Sequence, residues 1–171
     1  MATYTLISSN VLTSSAASVT FSSIPATYTD LVVRAAVRSN FANTIELMLI
    51  TINANSGSLY SMTAVYGTGV SPASDRDSGT SLNFDPAGAA NNTANTFSNY
   101  ELYIPSYQAS QNKPVSSSTV TENNTSDNNR AQANAGLFRS TAAITSLSFA
   151  PRYGTNFVSG SSFYLYGLSN A

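Results

Sequence analysis

Short runs of β-branched and aromatic residues, each closed by a cluster of Gly, Pro, Asn or Ser, recur along the whole chain, and no segment carries an apolar stripe at helical spacing. The pattern predicts an all-β protein. It is plainest over Asp30-Leu-Val-Val-Arg-Ala-Ala-Val-Arg38, where Leu31, Val33, Ala35 and Val37 fall on one face and Arg34 and Arg38 on the other. The first face is expected in a core and the second in water. Thr44 to Ala54 is apolar on both faces apart from Glu46, as in a central strand covered by a second sheet; a buried helix is the alternative. Its β-branched content and the Asn53-Ala-Asn-Ser-Gly57 turn favour the strand.

Further strands are predicted at Thr3–Ile7, Ser18–Ile24, Leu59–Tyr66, Ser81–Phe84, Phe97–Ile104, Val115–Thr121, Ala131–Phe138, Ile144–Phe149 and Ser161–Leu168, with Pro25 and Pro105 closing two of them. Ala131, Ala133, Ala135 and Leu137 make a small-residue face that lets a second sheet or a neighbouring chain come close. The last strand is apolar on both sides and belongs inside a sheet rather than at an edge. Roughly ten strands, with long connections beside short ones, predict one β-sandwich domain over residues 1–171, a jelly-roll or Greek-key winding of about eight to ten antiparallel strands. Two segments read as loops leaving the sandwich, Gly67 to about Asn95 and Thr121–Asn129.

Composition narrows the chemistry. Ser, Thr and Asn number 29, 19 and 18 of the 171 residues, against only 9% charged residues, a polar-neutral bias shared by wet β-faces and disordered tracts. Ten Tyr and eight Phe spread along the chain decide for the folded reading. With no His and no Cys, zinc sites, Ser-His-Asp or Cys-His catalysis, iron–sulfur clusters and disulfides are excluded. Seven Lys+Arg against eight Asp+Glu, without a basic run, speak against nucleic-acid binding. No apolar stretch approaches the ~20 residues that span a bilayer, and the first residues lack the positive region of a signal peptide. Synthesis in a cytoplasm is expected, with no membrane partner.

The remaining motifs are weak. Ser110-Gln-Asn-Lys113 matches Ser-x-x-Lys, but lies in a polar loop ended by Pro114 rather than at a helix start. Asp75-Arg-Asp77 offers two oxygen ligands to Ca²⁺ where a calcium loop needs more, so a solvated, Arg-neutralised loop is the plainer reading. Glu46 and Glu101 are the only carboxylate pair to consider for glycosidase-like chemistry; as outward residues or partners of Arg34, Arg38 or Arg139 they need no such role. The sequons at Asn91, Asn123 and Asn124 follow from abundant Asn and Thr. Neither catalysis nor a cofactor is expected. Four aromatics fall outside the strands, Phe41, Tyr107, Tyr153 and Phe157: each either folds back over the end of the sandwich or contacts another protein or a sugar.

Four stretches carry a resemblance: Ser15-Ala-Ala-Ser-Val-Thr-Phe-Ser-Ser-Ile-Pro-Ala-Thr-Tyr-Thr-Asp-Leu-Val-Val-Arg34, Asn53-Ala-Asn-Ser-Gly-Ser-Leu-Tyr-Ser61, Ile144-Thr-Ser-Leu-Ser-Phe-Ala150 and Phe157-Val-Ser-Gly-Ser-Ser-Phe-Tyr-Leu-Tyr-Gly-Leu168. Together they resemble a module of tailed-phage virion proteins, of the cyanophage type, over nearly the whole chain except Gly67–Asn95. The resemblance implies a jelly-roll-like sandwich, no catalytic residues, and a place on the capsid surface of the virion or in a tail fibre. A chain with its own Met1 that ends three residues past its last strand favours the free-standing form, a capsid cement (decoration) protein. Its expected partners are the major capsid protein and further copies of itself, as a trimer or dimer. A tail-fibre or receptor-binding module is the alternative, and a carbohydrate-binding or hydrolytic module a more distant one.

Overall fold

The computed structural model describes residues 3–124 and 129–169, with the backbone alone at positions 84 and 85. Among these residues there are twelve strands and no helix: β1 (Thr3–Val11), β2 (Val19–Phe21), β3 (Asp30–Val37), β4 (Ile45–Ile52), β5 (Tyr60–Gly67), β6 (Pro72–Gly79), β7 (Leu82–Gly88), β8 (Ser98–Ile104), β9 (Lys113–Thr121), β10 (Arg130–Phe138), β11 (Leu147–Pro151) and β12 (Ser162–Ser169). They form an eight-stranded sheet, β1-β12-β3-β8-β9-β10-β5-β6, and a four-stranded sheet, β2-β11-β4-β7.

The pairings have a simple order. β5 pairs with β6, β4 with β7, β3 with β8, β2 with β11 and β1 with β12, all antiparallel, so the chain is one long nested ribbon. Successive pairs alternate between the two sheets. A ribbon wound in this way is a jelly roll. The β9–β10 hairpin is an insertion in it, lodged between β8 and β5 and lengthening one sheet beyond the other.

Side chains from both inner faces fill the space between. Leu31, Val33, Ala35 and Val37 of β3 all join the core and Arg34 is exposed, as their alternation predicts. β12 lies between β1 and β3, away from the edge. Tyr28 lies flat on the inner side of this strand at Gly167, where an added Cβ would sit 2.2 Å from its ring. Only glycine leaves room for that contact.

Other expectations need correction. Gly67–Asn95 is not a loop: it holds β6 and the whole of β7. β6, Pro-Ala-Ser-Asp-Arg-Asp-Ser-Gly, is exposed almost throughout, so it has no buried face to write a period-2 pattern; its hairpin with β5 makes it a strand. β4 is central, but only Glu46, Met48, Ile50 and Ile52 are fully buried, while Ile45, Leu47, Leu49 and Thr51 are half-buried on the outside of the smaller sheet. Arg38 is not wet. Its guanidinium is buried under the loop after β7 and donates to the carbonyls of Ala90, Asn92, Thr93 and Thr96 at 2.7–3.1 Å. β11 starts at Leu147, and Ile144 before it is a core residue outside any strand. Residues 125–128, within the predicted Thr121–Asn129 loop and two of the sequons, lie outside the described residues.

Candidate interaction surface

The smaller sheet covers one face of the larger and leaves the other to solvent. Period-2 alternation sorts the side chains of that outer face into two unlike halves. Over β1, β12, β3 and β8 the outward residues include large ones, Tyr4 and Leu6, Tyr164 and Tyr166, Val32 and Arg34, Glu101 and Tyr103, with Ser9, Ser162, Ala36 and Asn99 towards one end. Arg34 and Glu101 form an exposed ion pair at 2.8 Å, Tyr4 meets Tyr166 edge-on at 6.3 Å, and Arg34 lies 5.7 Å from the Tyr4 ring centre. The Tyr103 hydroxyl donates to Asp30 at 3.0 Å; burial first, then this carboxylate, raises its pKa above 10.0.

Over β9, β10 and β5 the outward residues are small and uncharged. Register places Val120, Ala131 and Gly67 in one row, and Ser118, Ala133 and Val65 in the next. The alanines of β10 form the floor of a shallow groove of about 830 Å³, with Val120 and Val65, 54% and 58% exposed, as its banks. No charged residue lines it. This is the small-residue face visible in the sequence, and no second sheet covers it: Ala131, Ala133 and Ala135 are all exposed. The contributions of Val65, Ser118 and Val120 were not foreseen, because only the strand register shows which residues flank β10.

The four loop aromatics divide into two pairs. Tyr107 and Phe157 are wholly buried. The Tyr107 hydroxyl donates to the Pro25 carbonyl, and Phe157 packs on Phe163 at 5.2 Å and bridges to Ala16 and Ser39. Both fold back into the sandwich and cannot touch a partner in this fold. Phe41 and Tyr153 come together as a stacked pair, 5.4 Å between centroids, with Tyr153 54% exposed and the Arg152 guanidinium 5.1 Å from its ring centre.

Glu46 positions that pair. Its buried carboxylate accepts the amides of Leu47, Tyr153 and Gly154 at 2.7, 3.0 and 2.6 Å and the Ser39 hydroxyl at 3.4 Å. A Cβ on Gly154 would meet the Glu46 oxygen at 2.8 Å, so any larger residue there would displace the carboxylate from the turn. Glu46 is thus an inward structural residue, while Glu101 holds Arg34 on the outside of the other sheet. The structure does not bring the two carboxylates together as a catalytic pair.

Asp75 and Asp77 stand opposite Ala64 and Met62 on β5 and line a cleft of about 220 Å³ with Arg130, Arg152 and Asn83, which donates to Asp77. The two acids lie on an edge strand rather than a loop. Among the described residues no group of three or more acidic side chains could hold a metal ion. Lys113 is buried, and its ammonium donates to the carbonyls of Ala109 and Gln111 at 2.5 and 2.6 Å, closing the loop before β9; burial lowers its pKa from 10.5. Ser110 is exposed on that loop and makes no bond to Lys113 among those described. No helix among the described residues is long and apolar enough to cross a membrane.

Compared with models of known protein families the chain matches none, and no curated protein sequence matches it significantly.

Proposed function

We propose that this protein is a capsid cement (decoration) protein of a tailed phage, which binds the outside of the assembled head and stabilises it by bridging subunits, without catalysis or cofactor. One observation carries the reading. The outer face over β9, β10 and β5 is broad, exposed, uncharged and floored by alanines, so another protein's backbone can approach it closely over a large area. The resemblance of the opening and closing stretches to phage virion modules gives that face its partner, the major capsid protein. The stacked Phe41–Tyr153 pair is a second, smaller contact of the same kind.

A ligand that binds only the assembled lattice raises its stability by mass action, and repeated copies on a symmetric shell add avidity to weak single contacts. Contacts built from apolar and neutral hydrogen-bonding groups tolerate salt. Particles stripped of the protein are therefore expected to release DNA at a lower temperature than complete ones, and rebinding is expected to survive high salt. Ala133→Glu, which puts a charge on the floor of the groove, should abolish rebinding while the isolated protein keeps its melting temperature. Stripped particles that are equally heat-stable but fail to adsorb to cells would replace this reading with a receptor-binding one.

A further inference from the structure

The eight-stranded sheet has two free edges, and they are built in opposite ways. β6 carries Pro72, Asp75, Arg76 and Asp77, the charges and proline that keep an edge from pairing with another chain. β1, Thr-Tyr-Thr-Leu-Ile-Ser-Ser-Asn-Val, has no charge and no proline over nine residues, and eight of the nine are exposed. Tyr4, Leu6 and Val11 on it are each more than half exposed. Among the described residues its backbone bonds only to β12, so its outer row of N–H and C=O groups is unpaired by protein.

We propose that β1 pairs antiparallel with β1 of a second copy across a two-fold axis, joining two eight-stranded sheets into one. A two-fold interface must be complementary to itself. β1 meets that demand in charge and in register. Being uncharged, it does not repel its own copy, whereas β6 paired about Arg76 would set Asp75 against Asp77 and Arg76 against Arg76. The irregularity between Leu6 and Ser8 moves the outward face from Tyr4 and Leu6 to Ser9 and Val11. With Tyr4 opposite Val11 of the second copy and Leu6 opposite its Ser9, outward residues face outward residues along the whole pair, and Thr5 faces Asn10 on the other side. The same shift rules out pairing about Ile7, which would set Tyr4 against Asn10 and Leu6 against Ser8, outward against inward. The inference does not rest on the cement reading, since it concerns the free protein.

The test is the association state of the full chain and of three variants, by sedimentation at about 100 μM, where a contact with a micromolar Kd is saturated. The natural chain is expected as a dimer of twice 17.9 kDa. The double variant Leu6→Lys with Ser9→Lys puts like charges opposite each other twice, and should shift the protein to monomer. Leu6→Lys with Ser9→Glu puts opposite charges at the same places, and should restore the dimer. In a chain without cysteine, Thr5→Cys with Asn10→Cys should crosslink two copies on oxidation. A monomeric natural chain, or a dimer indifferent to the lysine pair, would overturn the proposal. Either result would leave the head-stability experiment unaffected.

Discussion

The two ends of the sandwich interior are made of different materials. Where β2, β11 and β4 lie over β12 and β3, the core is an aromatic and aliphatic cluster: Phe21 meets Phe149 at 6.3 Å, Phe149 meets Phe163 at 5.6 Å, and Ile50, Val33 and Leu165 close the gaps. Where β9 and β10 extend the larger sheet, Val115 and Phe138 join the core at one end of the hairpin, and the other inward residues include Ser117, Thr119, Thr121, Gln132 and Asn134, all buried. They bond to one another instead: Gln132 to Asn134 at 2.8 Å, Asn134 to Ser117 at 3.0 Å, and Thr121 to the Ser98 hydroxyl and the Pro86 carbonyl at 2.7 and 2.9 Å. Among the described residues the Thr119 hydroxyl and Gln132 Oε1 have no partner. Apolar burial contributes roughly 25 cal/mol per Å², whereas a neutral hydrogen bond gains only ~1 kcal/mol net. Stability therefore concentrates at the aromatic end, while the polar end supports the exposed groove at less stabilisation per residue.

The sharpest way to break this comparison is to cut each end. Phe163→Ala removes the ring that both Phe149 and Phe157 pack against, and is expected to cost about 3–5 kcal/mol, read as a fall in denaturation midpoint. Asn134→Ala at the polar end should cost only about 1 kcal/mol. Equal losses would mean that the hydrogen-bonded end carries as much of the fold as the aromatic one. Between the two stands Arg38→Met, which leaves four carbonyls of the loop after β7 without their donor. A cost of about 2–3 kcal/mol is expected. Amide exchange should quicken first in residues 89–96.

The same division explains what could be read beforehand. β3 was legible because one of its faces is apolar throughout and the other carries the charged, exposed Arg34, and that contrast survives without a partner in view. Glu46 lies in phase with Met48, Ile50 and Ile52, but a strand apolar on both faces hides which side its one acid takes. Arg38 was misread because a polar residue at a strand end is wet by default, and only the path of the 90s loop supplies the four carbonyls that bury it. β6 left no trace at all, since both its faces are exposed. On the groove, the alternating alanines of β10 were visible and their banks were not, because Val65 and Val120 come from strands that only register brings alongside. Phe41 and Tyr153 could not be told from Tyr107 and Phe157: all four are aromatics beside turns, and burial alone separates them.

The smallest expected effect lies in alkaline pH. Tyr60 of β5 is buried and stacked on Phe138 of β10 at 4.8 Å, with its hydroxyl accepting from the Ile52 amide and donating to the Ile52 and Asn55 carbonyls at 3.0–3.2 Å. Burial raises its pKa above 10.0, and the Ile52 bond only partly offsets this. The unfolded chain loses that proton near pH 10 while the folded chain keeps it, so the folded state binds more protons there and stability falls as pH climbs from 10 through the folded value. Tyr103, raised in the same way, adds to the fall. Lys113 acts in the opposite sense. Its pKa is lowered by burial, so between the folded value and 10.5 the unfolded chain binds more protons, and stability rises with pH over that window. Below pH 10.5 the lysine opposes the tyrosines, and above it the loss is the tyrosines' alone. Chemical denaturation across that range should therefore show a flatter fall for Tyr60→Phe than for the natural chain, even though its midpoint at neutral pH is lower for want of the hydroxyl's three bonds. Lys113→Met should show a steeper fall, because the opposing contribution is gone. Parallel curves for all three proteins would mean that neither buried group titrates differently in the folded state, and that the alkaline loss arises elsewhere in the molecule.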